Sequence, residues 1–253
     1  SYPSPIRRGE KKYFMNNDEI KILIREKFQD LKAEKGVLYV VSTPIGNFED
    51  ISFRALYILE NVDLIACEDT RVTGNLLSHF GIRTKMMSYY SNVEENKLEH
   101  LISELKNDKS VALVSDAGTP CISDPGSILV SKCVEQGIDV FSIPGASSII
   151  NALVLSGFPT EKFYFQGFLP QKKGREKTFN ELKNIRQTII IFEAKYRIKK
   201  MLKECVKYFG NREVAVCREL TKKFEEITRG NLKEINPDSI KEKGEFVVVI
   251  NNN

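Results

Sequence analysis

The chain has 253 residues, 42% of them hydrophobic and 28% charged, and a formal net charge of +4. That length admits two domains of roughly 100–150 residues each, and the balance is that of a globular protein with a real core. No apolar run approaches the ~20 residues of a membrane span, and the N-terminal stretch SYPSPIRRGEKKYF lacks the apolar centre of a secretory signal.

Residues 1–35 are polar and charged, with one apolar stripe at helical spacing through Ile20, Leu23, Ile24, Phe28 and Leu31. They read as an extension, partly helical or disordered. From Gly36 the pattern alternates. Short apolar runs at Val37–Val41, Val62–Cys67, Val111–Ser115 and Asp139–Ile143 predict strands. Helical periodicity predicts helices at Ile51–Glu60, Thr70–Phe80, Glu94–Asn107 and Ser127–Gln136. Continuous apolar strands alternating with helices predict a largely parallel sheet covered on both faces. Further along, Phe163–Phe168, Thr188–Phe192, Glu213–Cys217 and Phe246–Ile250 read as strands, with a shorter one at Phe224–Thr228. Helices at Glu176–Ile185 and Tyr196–Phe209 separate some of them. This predicts a second α/β domain with a mixed sheet, giving domains at residues 36–144 and 145–253 joined near Pro144–Ser147.

The five cysteines, Cys67, Cys121, Cys133, Cys205 and Cys217, are odd in number and include no C-x-x-C pair. They argue against a disulfide framework or a zinc site and for a reducing cytoplasm, with no metal expected. Only His79 and His100 are available for histidine chemistry. The first sits at the end of an apparent helix and the second in a polar helix, and both read as structural. The modest positive charge permits nucleic-acid binding without requiring it.

Three predicted strands run into turns of small residues: Ser42-Thr43-Pro44-Ile45-Gly46-Asn47, Asp116-Ala117-Gly118-Thr119-Pro120 and Pro144-Gly145-Ala146-Ser147-Ser148. In an open parallel sheet ligands bind beyond the carboxyl ends of the strands, and glycine there lets backbone approach a ligand. Each turn alone reads first as an ordinary loop; three of one type favour a shared pocket. No G-x-x-x-x-G-K-[ST] and no G-x-G-x-x-G after a strand occur, so neither a P-loop nor a common dinucleotide site is indicated. Asp116, with Asp124 nearby, suits a ligand with cationic groups, such as the sulfonium and ammonium of S-adenosylmethionine. A fourth loop, Glu68-Asp69-Thr70-Arg71, can hold a polar group and accept its proton; Asp69 or Thr70 can equally cap the helix that follows. The basic loop Gln171-Lys172-Lys173-Gly174-Arg175-Glu176-Lys177 is either a contact for RNA phosphates or a solvated turn.

The successive motifs TPIGNFEDISFRAL, ACEDTR, SDAGTPCISDPG, PGASS, GFLP and CREL resemble those of the small-subunit ribosomal RNA 2′-O-methyltransferases of the tetrapyrrole (corrin/porphyrin) methylase family. The resemblance covers about residues 36–250. It implies two α/β domains of the tetrapyrrole-methylase type with S-adenosylmethionine in the cleft between them, a homodimer, and a cytidine 2′-hydroxyl of 16S rRNA, in the 30S subunit, as substrate. By position it implies that Pro44, Ile45 and Gly46 form a first cofactor loop. Asp116, Gly118 and Thr119 form a second, and Gly145 and Ala146 a third. Phe192, Leu220 and Gly244 are the matches in the second domain. Glu68 and Asp69 are then the candidate catalytic bases, with Arg71 orienting the nucleotide. Lys172, Lys173, Arg175, Lys177 and Arg197 are the candidate RNA contacts.

Two features depart from the family pattern. Ala194-Lys195-Tyr196-Arg197 has tyrosine where a histidine is usual, and the sequence stops soon after Phe246–Ile250, where many members continue. Two rival readings remain at this point: carbon methylation of a tetrapyrrole ring on the same fold, and a ribosome-associated RNA-binding protein without turnover.

Overall fold

A computed structural model describes residues 33–89 and 95–251, together with positions 19 and 22. The apolar stripe expected from Ile20 to Leu31 therefore lies outside the described residues. The chain divides into two compact units, with the boundary between Ala146 and Ser147.

The first unit is a five-stranded sheet of β1 (Leu38–Val41), β2 (Leu64–Cys67), β3 (Met86–Ser88), β4 (Val111–Val114) and β5 (Val140–Ile143), in the order β3-β2-β4-β1-β5. Every pairing is parallel. Helices α1 (Phe53–Asn61), α2 (Thr70–His79), α3 (Glu95–Lys106) and α4 (Ser127–Glu135) alternate with the strands. Side chains alternate across a strand, and here both faces are apolar. Tyr39, Val41, Ile65, Cys67, Ala112 and Val114 join the core that contains α1 and α2 residues. Leu38, Val40, Leu64, Ala66, Val111 and Leu113 join the opposite core with Leu101, Ile102 and Leu105 of α3 and Leu129 and Cys133 of α4. Fully burying a leucine or valine stabilises by about 1.5–3 kcal/mol, so these strand residues anchor the sheet from both sides.

Caps fix where the helices begin. Ser52 accepts from the Ala55 amide at 3.1 Å ahead of α1, and Asp69 accepts from the Arg71 amide at 2.8 Å ahead of α2. Short 3-10 turns lie at Phe48–Asp50 and Pro237–Ser239.

The second unit holds β6 (Phe163–Phe168), β7 (Thr188–Ala194), β8 (Glu213–Arg218), β9 (Glu226–Asn231) and β10 (Glu245–Ile250), ordered β6-β7-β10-β8-β9. Only β6 and β7 are parallel; the other three pairings are antiparallel. The expected mixed sheet is thus observed. Helices α5 (Ser148–Ser156), α6 (Arg175–Leu182) and α7 (Ile198–Phe209) complete it. The α7 spacing of Ile198, Met201, Leu202, Cys205 and Phe209 buries one stripe against the sheet.

Two elements fall outside the pattern-based expectation. Strand β3 is three residues long and half-buried throughout, too short for a period to register. Helix α5, SIINALVLS, is apolar nearly all round and shows no polar face to mark it as a helix. Strand β9 begins two residues later than expected and runs on to Asn231.

Candidate active site

The three small-residue loops of the first unit come together. Thr43 and Gly118 exchange backbone hydrogen bonds, the Thr43 amide donating to the Gly118 carbonyl at 2.9 Å and the reverse at 3.1 Å. The Thr43 hydroxyl donates to the Ser115 carbonyl at 3.1 Å. Ser42 and Thr119 share a hydroxyl hydrogen bond of 2.9 Å, and the Ser42 amide donates to the Ile143 carbonyl at 3.1 Å. The loops after β1, β4 and β5 therefore form one lip at the carboxyl edge of the sheet. Two glycines permit it. A Cβ on Gly145 would lie 2.9 Å from Ser42 Cβ, and Gly118 has φ +80° with Ile45 Cγ2 only 3.3 Å from where its Cβ would be. Pro44, Ile45, Gly46, Asp116, Gly118, Thr119, Gly145 and Ala146 all belong to these linked loops.

Beside the lip, carboxylates gather. The Asp69 amide donates to Asp116 Oδ1 at 3.0 Å, and the Asp116 amide donates to the Glu68 carboxylate. These reciprocal bonds tie the end of β2 to the end of β4. Burial, then the charge of Asp116, pushes the Glu68 carboxyl above its ordinary range. Asp116 is raised as well, again first by burial. Asp69 behaves oppositely. Arg71 grips it through Nε–Oδ1 at 3.0 Å and Nη2–Oδ2 at 2.6 Å, and these hydrogen bonds lower its carboxyl to about 2. Asp69 thus caps α2 and holds Arg71, whose side chain is otherwise open to solvent.

Asp124 completes the cluster. Cys121 and Ser123 both sit in the left-handed region, at φ +73° and +64°, conformations that cost energy in non-glycine residues. They turn the chain so that Asp124 takes a hydrogen bond from Ser115 and feels Glu68 and Asp116. Burial, then the Glu68 charge, pushes Asp124 up to about 6. The folded protein therefore holds this proton more tightly than the unfolded chain. That cost to stability is absent below the ordinary value of 3.8 and complete above about 6. Asp124→Asn is expected to raise Tm at pH 8 by about 2–4 °C, the effect of roughly 1 kcal/mol in a chain of this size. Thermal melts should show the gap closing towards pH 4; a gap independent of pH would contradict the assignment.

A cavity of about 150 Å³ opens on the α2 side of the lip, lined among others by Pro44, Phe48, Val72, Asn75 and Asp116. Sequence reasoning missed Phe48, Val72 and Asn75. They come from a 3-10 turn and from α2, and no local motif links them. Among the described residues no group of three or more His, Cys, Asp or Glu could hold a metal ion, and no helix is long and apolar enough to cross a membrane.

In the second unit, Phe192 lies near the end of β7 with Phe165 and Phe168 at ring-centroid distances of 5.0 and 5.5 Å. Leu220 is buried in the turn after β8. Gly244 has φ +91°, and any Cβ there would strike the Glu219 side chain. Lys172, Lys173 and Lys177 are exposed. Arg175 corrects the expectation of an RNA contact. It is buried, its Nε and Nη2 donate to Glu204 Oε2 at 2.9 and 2.7 Å, and its Nη1 donates to the Pro170 carbonyl at 3.0 Å. Its guanidinium closes the base of the basic loop rather than facing solvent. Arg197 is half-buried and pairs with the fully buried Glu193 at 2.7 Å. Tyr196 stands out from the surface, with the Lys195 ammonium 4.8 Å from its ring centre.

Comparison with known proteins bears on both units. Residues 37–236 match the Tetrapyrrole (Corrin/Porphyrin) Methylases. Ribosomal RNA small subunit methyltransferase I of Halalkalibacterium halodurans is 47% identical over 227 residues, 88% of this chain and 78% of that protein. The chain belongs to the tetrapyrrole methylase family, in the branch of the small-subunit ribosomal RNA methyltransferases. The enzymes of the same name from Bacillus subtilis and Vibrio cholerae are each 45% identical, over 87% and 85% of this chain and 76% of each relative. Uroporphyrin-III-C-methyltransferase from Thermus thermophilus shares the fold, with a TM-score of 0.63 at 17% identity over 86% of this chain and 95% of that one. A cobalt precorrin-4 methyltransferase gives 0.62 at 19% identity, over 85% and 95%. The two α/β units expected of a tetrapyrrole methylase are those observed.

Proposed function

We propose that this tetrapyrrole methylase transfers the methyl group of S-adenosylmethionine to the 2′-hydroxyl of a cytidine in the decoding region of 16S rRNA, within the 30S subunit. The observation that carries this reading is the pairing of the three-loop lip with the Glu68–Asp116–Asp69 cluster at its side. The lip is made of backbone groups, small side chains and glycines that hold it close, and it contains no lysine or arginine. An acidic neighbourhood of this kind suits a ligand carrying sulfonium and ammonium charges, and it disfavours a polyphosphate. The residues that would hold S-adenosylmethionine are Pro44, Ile45, Gly46, Asp116, Gly118, Thr119, Gly145 and Ala146. When bound it supplies an electrophilic methyl group.

The chain's own part is alignment and proton removal. Well-oriented reactants can gain roughly 7–11 kcal/mol over a bimolecular encounter. A ribose hydroxyl is a poor nucleophile until its proton leaves, so a base contributes further. Glu68 is the stronger candidate, because burial raises its carboxyl towards the range in which a base works at neutral pH. Asp69, held at about 2 by Arg71, is a weak base while that pair persists; its role is to present Arg71 to the nucleotide. Lys172, Lys173 and Lys177 are the candidates for phosphate contact, acting in a homodimer in the cytoplasm.

Carbon methylation of a tetrapyrrole is the weaker reading, since identity with the tetrapyrrole enzymes is 17–19% against 45–47% with the ribosomal RNA enzymes. Titration calorimetry with S-adenosylmethionine separates an enzyme from a pure RNA-binding module. One molecule bound per chain is the expected result, and no detectable heat would leave only the binding module.

A further inference from the structure

The cavity beside α2 has a composition the cofactor loops do not explain. It takes only the first residues of those loops, Thr43 and Pro44 after β1 and Ser115 and Asp116 after β4. Ile45, Gly46, Gly118, Thr119, Gly145 and Ala146 do not line it. Its other walls are Phe48 from the 3-10 turn and Val72, Asn75 and their neighbours on α2, the helix that Glu68 and Asp69 lead into. Phe48 and Val72 are large apolar side chains left 38% and 41% exposed, so the cavity has an apolar rim open to solvent. The Phe48 ring packs against the His79 ring at 4.9 Å between centroids. A volume of about 150 Å³ is enough for one six-membered ring; an engineered cavity of about that size takes up benzene.

The polar lining is also specific. Asp116 Oδ1 already accepts the Asp69 amide, leaving Oδ2 with no protein donor among the described residues. The exposed Asn75 amide offers both a donor and an acceptor. A carboxylate can accept from the amino group of cytosine, whereas uracil presents an acceptor there. Enzymes that act on a nucleotide commonly extrude it and stack its base on aromatic or apolar side chains.

Resting on the substrate reading above, we infer that this cavity is the subsite for the extruded base of the target nucleotide. Phe48 stacks on the ring, and Asn75 with Asp116 reads its Watson–Crick edge as cytosine. The ribose then lies towards Glu68, which heads the same side of the lip.

The test compares unsubstituted protein with Phe48→Ala, Phe48→Tyr and Asn75→Ala on unmodified 30S subunits, together with S-adenosylmethionine affinity by calorimetry. Phe48 lies in a turn with no buried residues, so its truncation leaves the core intact. Loss of base stacking predicts a rise in KM for 30S subunits of roughly five- to a hundredfold in Phe48→Ala, with cofactor affinity unchanged and near-complete recovery in Phe48→Tyr. Asn75→Ala should reduce the preference for cytidine over uridine at the target position, measured on subunits reconstituted with either nucleotide. An unchanged KM in Phe48→Ala overturns the subsite, and a parallel loss of cofactor affinity assigns the cavity to the cofactor instead. If the unsubstituted protein transfers no methyl group to 30S subunits while binding cofactor, the substrate reading itself fails, and the base assignment falls with it.

Discussion

Glu68→Gln is expected to lower the rate of methyl transfer by about 10²–10⁴-fold, the usual contribution of a positioned general base. S-adenosylmethionine affinity should stay nearly constant. Glu68 follows the last residue of a buried strand, it takes a hydrogen bond from the Asp116 amide, and burial together with the Asp116 charge disfavours its ionised form. A carboxyl raised in this way is a better proton acceptor at neutral pH than an ordinary one. The rate in the unsubstituted enzyme should accordingly rise with pH as Glu68 loses its proton, and this rise should vanish in Glu68→Gln. Asp69→Asn should cost much less, about tenfold or below, because Arg71 already holds the Asp69 carboxyl at about 2. Single-turnover measurements across pH decide the matter. Equal losses in the two variants would move the base away from Glu68.

The largest stability effect is expected at Arg175. Its guanidinium is buried against Glu204, with the fully buried Glu193 3.5 Å away, and it satisfies the Pro170 carbonyl. Removing one partner from a buried ion pair typically costs about 3–5 kcal/mol, because the remaining charge stays desolvated. Arg175→Met should therefore lower Tm by about 10 °C or more. Arg175→Lys should fall in between, since an ammonium cannot reproduce the forked contact. By contrast, Lys172→Ala and Lys173→Ala lie on exposed positions and should leave Tm unchanged while weakening RNA binding, most visibly at low salt. A melt of Arg175→Met superimposing on that of the unsubstituted protein would show that the pair adds nothing.

Arg175 also shows where the sequence is silent. It stands among four other charged residues in QKKGREK, and nothing local separates it from them. Its partners arrive from β7 and α7, so only the fold reveals that it turns inward. Strands β1, β2 and β4 were legible for the opposite reason: each is a continuous apolar run that is buried from end to end. The three small-residue loops were legible as punctuation, and the hydrogen bonds linking Thr43 to Gly118 and Ser42 to Thr119 show why those residues are small and polar. The split between Glu68 and Asp69 was not legible. Two adjacent acids look alike in a sequence, and their opposite behaviour arises because burial, and then the Asp116 charge, disfavours the ionised form of one, while a guanidinium grips the other. Phe48 stood within the TPIGNFED run with nothing to mark it as part of a site, and Asn75 was an ordinary helix residue, until the fold brings both to one cavity.

Methylation of a ribose hydroxyl is distinguished from methylation of a base by where the transferred methyl ends up. Unmodified 30S subunits are incubated with the protein and methyl-labelled S-adenosylmethionine, and the 16S rRNA is then hydrolysed in alkali. A 2′-O-methyl group removes the hydroxyl that attacks the adjoining phosphodiester, so label is expected in an alkali-resistant dinucleotide beginning with cytidine from the decoding region. Label recovered in a mononucleotide would place the methyl on a base and rule out ribose methylation.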